Sequence, residues 1–323
     1  MNFQTTEYPD DSELPNAHHL RRKGKRFQKK LVRSQTEAPL GKVTLFDPVA
    51  QLGVETEFHP TFSASKLERA WILEYLGPFY EDHYITDVLR QVKGGKEATV
   101  YCCLAHSRME TKYIAAKVYR PKIFRTLKND SDYRQGRTMV DEENQVLRGR
   151  REKLAIKKKS DYGQGLLHNA WLSNEYQMLV ALHAADVDVP KPIVQSNNTL
   201  LMEYLGDAEM PAPSLNAVDL ERDEAESLFD RVMRNVEMML AHNVVHADLS
   251  AFNILYWDGD IRIIDLPQAV NPYVNPKAFQ MFERDVLRVC QYFQHHLINA
   301  DASQLAREIW KRNVKPDTSE VFL

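Results

Sequence analysis

The chain has 323 residues, 43% apolar and 27% charged, an ordinary globular composition that excludes collagen-like and fully low-complexity chains. No stretch approaches the ~18 uninterrupted apolar residues of a membrane span, so no membrane contact is expected. The start, MNFQTTEYPDDSELP, has neither a basic n-region nor an apolar h-region, and Cys102, Cys103 and Cys290 have no zinc spacing, so a soluble, cytoplasmic protein in a reducing compartment is expected.

The net charge of −3 conceals two basic stretches: residues 18–33 hold eight Lys/Arg and no acid, and residues 117–159 hold fourteen Lys/Arg against six Asp/Glu. Such patches suit a phosphate-rich ligand or a polyanion such as RNA, and they equally suit a solvated surface. Residues 1–61 lack periodicity and read as a largely disordered basic arm. Helical spacing is expected over 62–90, with Leu67, Ala70, Trp71, Leu73, Tyr75 and Leu76 around a break at Gly77-Pro78. A glycine pair then precedes β-formers within 92–101, and 113–119 is a second strand. Residues 120–165 read as a long basic loop with one helical stretch.

Asn169 is the expected cap of a helix over 170–185. Pro190 and Pro192 mark an extended segment, and 199–205 an apolar strand. A strong helix spans 221–242. Strands at 254–256 and 261–264 flank Asp258-Gly259, a dipeptide suited to a tight hairpin. Asn275-Pro276 is read as cap and first position of a final helix to 296. Strands dominate before 205 and helices after it, so the expected class is α+β, with a unit over 62–205 and another over 206–323.

Five positions look chemical. Lys117 shares a strand face with Tyr113, Ala115 and Tyr119, and the opposite face carries Ile114, Ala116 and Val118. A lone lysine there would ordinarily snorkel to water. Glu175, however, has Trp171, Leu172, Met178 and Leu179 around it at helical spacing, an expensive place for an unpaired carboxylate. Each solves the other's problem, and a strand lysine paired to a helix glutamate is how protein kinases hold the phosphates of ATP. A hairpin folded about Gly259 brings Asn253 and Asp265 together at its open end, where an amide oxygen and a carboxylate could share a magnesium ion. Asp248, five residues before Asn253, could reach a substrate hydroxyl from the same loop, while His246 reads as a packed histidine.

HADLSAFNIL and IIDLPQ, with GGKEATVY, AAKVY, MPAPSL and NPKAFQMFERDVLRVCQYF, resemble the RIO family of atypical serine/threonine protein kinases over residues 85–296. HADLS and MPAP are similar to the first subfamily, and DLPQ leans towards the second. The resemblance implies a two-lobed kinase-like fold of truncated type, with a β-rich N-lobe and a helical C-lobe. It implies ATP with Mg2+ (or Mn2+) as cofactors. Gly94, Gly95, Lys96, Glu97 and Val100 would cover the phosphates, with Lys117 paired to Glu175 behind them. Met202, Glu203 and Leu205 would receive adenine, mainly through their backbone. Asp248 would be the catalytic aspartate, and Asn253 and Asp265 the metal ligands, Asp265 also being a possible phosphate acceptor. Asp285 would support the catalytic loop. The family acts in ribosome assembly, where ATP hydrolysis rivals protein phosphorylation. The competing readings are a small-molecule kinase resembling aminoglycoside phosphotransferases and a non-catalytic RNA or polyanion binder.

Overall fold

A computed structural model of the chain describes residues 58–95, 98–119, 154, 158, 160–196 and 198–315. The expected arm up to residue 57 with its basic run 18–33, residues 120–153 of the expected loop, and Lys96 and Glu97 lie outside the described residues.

Packed structure is present at Phe58, ahead of the helical lead-in expected from residue 62. Phe58 is buried and stacks on Tyr80 at 4.8 Å, and Thr61 donates from N and Oγ1 to the Asp87 carboxylate at 2.8 and 2.6 Å. Helix α1 spans Lys66–Glu81 and is capped by the Ser65 hydroxyl. The expected break at Gly77-Pro78 does not occur. Proline ordinarily expels the preceding residue from helical space by striking its Cβ, and Gly77 has none. Pro78 also lies within the last turn, and Tyr75, Leu76 and Phe79 are buried around it; burying each such side chain stabilises by about 1.5–3 kcal/mol.

Residues 85–90 are strand rather than helix. Strand β1 (Ile85–Gly94) pairs with β2 (Ala98–Ala105), but its register shifts between Ile85 and Asp87, between Val88 and Arg90, and between Gln91 and Lys93. Each bulge inserts a residue, so buried Ile85 and Val88 fall three apart and imitate a helical period. Strand β3 (Tyr113–Tyr119) matches the expectation.

Helix α2 runs Asp161–Ala184, so Asn169 lies inside it rather than at its cap. Gly163 and Gly165, read as loop punctuation, are helical, at about 1 kcal/mol each relative to alanine. Strands β4 (Pro192–Ser196) and β5 (Thr199–Glu203) complete an antiparallel sheet ordered β1-β2-β3-β5-β4. Pro192 opens the edge strand, where a missing N–H is tolerated.

Helix α3 (Arg222–Ala241) follows, then the hairpin of β6 (Ile254–Trp257) and β7 (Asp260–Ile263). Its turn residues Asp258 (φ 49°) and Gly259 (φ 84°) are both left-handed, as a two-residue turn of this kind requires. Helix α4 spans Ala278–Gln294. Asn275 is not its cap: Oδ1 accepts from Lys277 N at 2.9 Å, forming a turn that leads into the helix. A further helix, α5 (Ala302–Asn313), was not anticipated, although Asp301 accepts from Gln304 N at 2.9 Å as an N-cap should.

The fold is thus mixed α+β, an antiparallel sheet followed by a helical region. Two hydrophobic cores flank the sheet: Ile114, Ala116, Val118 and Leu201 pack with α1, while Tyr119 and Leu200 join α2 and the helical region. The alternation along β3 therefore aims Lys117 at the side that α2 closes. Among the described residues no helix is long and apolar enough to cross a membrane.

Candidate active site

The pairing deduced from burial is present. Lys117 Nζ lies 2.7 Å from Glu175 Oε1, and the side chains are 10% and 2% exposed. Lys117 makes a second ion pair, 2.9 Å to Asp265 Oδ1, and so bridges β3, α2 and the residue just beyond β7. Burial works against the ammonium, but the Asp265 and Glu175 carboxylates outweigh it, and its pKa stands well above the ordinary lysine value. The same ammonium pulls Asp265 below its ordinary value against the opposing effect of burial. Tyr119, two residues along the same strand face, donates its hydroxyl to Glu175 Oε2. Burial first, and then the neighbouring Glu175, raise that phenol well above its usual pKa, so it stays a neutral donor. Both oxygens of a buried carboxylate are thereby satisfied.

The hairpin meets the loop before it with a register one step from the expected one. Ile254 pairs with Ile263, and Ile264 N donates to Asn253 O at 2.9 Å, so Asn253 faces Ile264 rather than Asp265. Asp265 follows with φ 70°, a left-handed conformation that turns it out of the strand towards Lys117. Asn253 is buried and donates Nδ2 to Asp248 O at 2.9 Å, which leaves its Oδ1 as an acceptor. The carboxylate of Asp248 pairs with Arg288 on α4, Oδ1 to Nη1 at 2.9 Å.

His246 is packed, as expected. Nε2 contacts Ile264 O at 3.0 Å and Nδ1 accepts from Asp248 N at 3.3 Å, which fixes the neutral tautomer. Burial pushes its pKa below the ordinary histidine value. Ala247, between it and Asp248, has φ 64°, a conformation that costs a non-glycine residue about 1–2 kcal/mol. Asp285 compensates by accepting from Ala247 N at 2.7 Å, and burial pushes this carboxyl up to about 7.

Of the expected phosphate-covering segment, Gly94 pairs with Thr99, Gly95 N donates to Ala98 O at 2.8 Å, and Val100 faces Lys93 and Lys117 across the sheet. The segment expected to take adenine is more constrained than the sequence indicated. Glu203 N donates to Lys191 O at 2.8 Å, and its carboxylate holds Arg262 of β7 at 3.1 and 3.3 Å. Leu205 O accepts from Ala212 N at 3.0 Å, and its own N–H has no backbone partner among the described residues. Met202, the last residue but one of β5, pairs with Ala115. Gly206 closes this stretch with φ +126°; a Cβ there would lie 2.4 Å from Met210 O, so only glycine fits. Arg90 reaches in from β1 to donate to Ala208 O and, at 2.8 Å, to Asp207 O. Three side chains were left unassigned by the sequence: Tyr119, Arg284 and Arg288. Tyr119 could have been found as the i+2 neighbour of Lys117, whereas the arginines look in the sequence like solvated charges on an amphipathic helix.

A family model described as the RIO domain matches residues 99–305. The chain belongs to the RIO family of atypical kinases. It is similar to the RIO-type serine/threonine-protein kinase Rio1 of Thermoplasma acidophilum, 38% identical over 142 residues that cover 44% of this chain and 73% of that protein. It is also similar to the serine/threonine-protein kinase RIO1 of Homo sapiens, 28% identical over 228 residues, 70% of this chain and 36% of the human protein. The Rio1 of Haloferax volcanii is 28% identical over 225 residues, 70% and 69% of the two chains. The match spans little more than a third of the human relative, while it spans over two thirds of the archaeal ones. These relatives put the chain on the RIO1 side of the family, in accord with HADLS and MPAP rather than DLPQ.

Proposed function

We propose that the chain is an ATP- and Mg2+-dependent serine/threonine protein kinase of the RIO1 type, with Asp248 as the catalytic aspartate. The observation that carries this reading is the buried bridge from Lys117 to both Glu175 and Asp265. It fixes one cation beside a carboxylate that adjoins a loop bearing a second carboxylate and an amide.

The donor chemistry fits a hard cation: Asn253 offers Oδ1 because its Nδ2 is engaged, and half-exposed Asp265 offers the oxygen that Lys117 does not hold. Magnesium takes few protein oxygens and completes its shell with phosphate and water oxygens. Bound there, it would neutralise charge on the β- and γ-phosphates. Lys117 would hold the phosphates in position, and the Leu205 N–H would donate to the adenine edge. Asp248 would orient a hydroxyl and take its proton as the oxygen bonds to the γ-phosphorus and the bond to the β-phosphate oxygen breaks.

A main activity as an ATPase, in which water replaces the acceptor hydroxyl, is favoured by one feature. Helix α4 begins at Ala278, which leaves little chain after Asp265 for a peptide-docking activation segment. A transient phosphate on Asp265 belongs to the same reading. Incubation with γ-labelled ATP separates the two: acid-stable label on serine or threonine indicates protein phosphorylation, and hydroxylamine-labile label lost in Asp265→Ala indicates the aspartyl route. ATP turnover that survives both Lys117→Met and removal of magnesium would overturn the proposal. The basic run 18–33 supports a polyanion contact such as RNA, and with it a role in ribonucleoprotein assembly. Binding of RNA that falls steeply with salt and is lost on deleting residues 1–40 is the expected result.

A further inference from the structure

We infer that Arg288 is a positioning residue for phosphoryl transfer: it holds one oxygen of the Asp248 carboxylate so that the other faces the acceptor hydroxyl. The inference rests on the reading of Asp248 as the catalytic aspartate and extends the machinery to a different element. Arg288 Nη1 donates to Asp248 Oδ1 at 2.9 Å, while Asp248 Oδ2 takes no hydrogen bond from any described residue. A carboxylate turns freely about its last torsion, which has broad wells, so a single directional donor decides which oxygen points where.

Helix α4 supplies that donor as part of a wider grip. Arg284, one turn earlier, donates Nη2 to Ala247 O, and Asp285 accepts from Ala247 N at 2.7 Å. Arg284, Asp285 and Arg288 thus hold the carbonyl and amide of one left-handed residue and the carboxylate of the next. The first two contacts are to backbone and maintain the loop. Only the Arg288 contact is to the group that meets substrate.

The pair is weak as a fold determinant. Its side chains are 32% and 40% exposed, and ion pairs so open to water contribute little to stability. A small displacement of a reacting group, by contrast, lowers rate as much as a hundredfold. Stability and turnover therefore separate.

The experiment measures kcat and KM for Mg-ATP turnover with γ-labelled ATP in the full chain, alongside thermal unfolding. Arg288→Gln is expected to lower kcat about tenfold with KM for ATP and Tm unchanged, and Arg288→Lys to recover part of the loss. In an Asp248→Asn background, read by single-turnover kinetics, Arg288→Gln is expected to have no further effect, since it acts through the missing carboxylate. On α5, Arg312→Gln removes an exposed pair with Glu237 of α3 and serves as the control that leaves turnover intact. The inference is overturned if Arg288→Gln raises KM without lowering kcat, changes neither, or costs as much in the Asp248→Asn background as in the wild-type chain. Should Arg288→Gln fail to fold, Arg288→Lys carries the test: wild-type kcat with that variant leaves the directional guanidinium without a role. If Asp248→Asn alone keeps wild-type turnover, the assignment of Asp248 falls and the inference falls with it.

Discussion

Consider the buried bridge when each partner is removed in turn. Glu175→Gln leaves Lys117 its second contact, 2.9 Å to Asp265, whose side chain is 48% exposed and partly hydrated. Removing one partner of a buried pair costs about 3–5 kcal/mol when the remaining charge is stranded. Here it is not stranded, so about 2–3 kcal/mol is expected. Lys117→Met strands Glu175 at 2% exposure, with the Tyr119 hydroxyl as its remaining partner among the described residues, and should cost the full ~3–5 kcal/mol. The double mutant buries no carboxylate at residue 175 and no ammonium at 117. It should cost about 3 kcal/mol or less, well short of the ~5–8 kcal/mol sum of the single losses. The double mutant is therefore more stable than Lys117→Met alone. Urea unfolding followed by tryptophan fluorescence gives the four free energies, and kcat/KM for Mg-ATP gives the functional cycle, in which the double mutant should be no slower than Lys117→Met. Losses that add within ~0.5 kcal/mol would show two independent side chains and refute the argument.

Tyr119→Phe keeps the ring and removes the donor to Glu175 Oε2, so about 1–3 kcal/mol should be lost in urea unfolding, and most of that loss should vanish in a Glu175→Gln background. By calorimetry, Asp265→Ala should lose the magnesium-dependent part of ATP affinity while Asp248→Ala retains it; the reverse pattern would put the metal on the wrong carboxylate. Asp285, with its folded pKa raised to about 7 by burial, binds a proton in the folded chain that the unfolded chain has released. Its contribution is complete below about pH 3.8 and is lost as the pH rises through about 7. His246 acts in the opposite sense, since its depressed pKa makes acid destabilising. Asp285→Asn isolates the first effect: relative to wild type it should fare better at pH 8 than at pH 5, and a stability difference independent of pH would count against a buried, raised carboxyl.

What the sequence disclosed about the fold followed the rules that are local. The Asp258-Gly259 turn and strand β3 were legible because dipeptide conformation and period-2 alternation act over a few residues. β1 was misread because its bulges spread buried Ile85 and Val88 to a helical interval, and pairing with β2, invisible in a linear pattern, decided the matter. α2 and α1 were misjudged for a related reason. Glycine and proline punctuate a chain only when packing does not outweigh them, and around Gly77-Pro78 the buried aromatics of α1 do. α5 has a readable cap at Asp301, but the short, mostly polar run that follows it buries only Ala302, Ala306 and Ile309, a faint apolar stripe.

The site divides along the same line. Lys117 and Glu175 could be paired from sequence because each alone is a burial problem, and two expensive charges of opposite sign have few other solutions. Asp248, Asn253 and Asp265 were legible as a spacing, but their true register is offset by one residue, and it is the left-handed turn at Asp265 that corrects the offset and delivers its carboxylate to Lys117. No spacing rule supplies that, because a positive φ in an aspartate is strain that only the surrounding contacts sustain. Arg288 was out of reach for a different reason. An arginine on an amphipathic helix looks like any solvated charge, and only the tertiary approach of α4 to the loop at Ala247 and Asp248 distinguishes it from Arg312 on α5. The residues whose burial makes them costly announce themselves in the sequence, whereas those that merely aim a neighbour become visible only once the chain is folded.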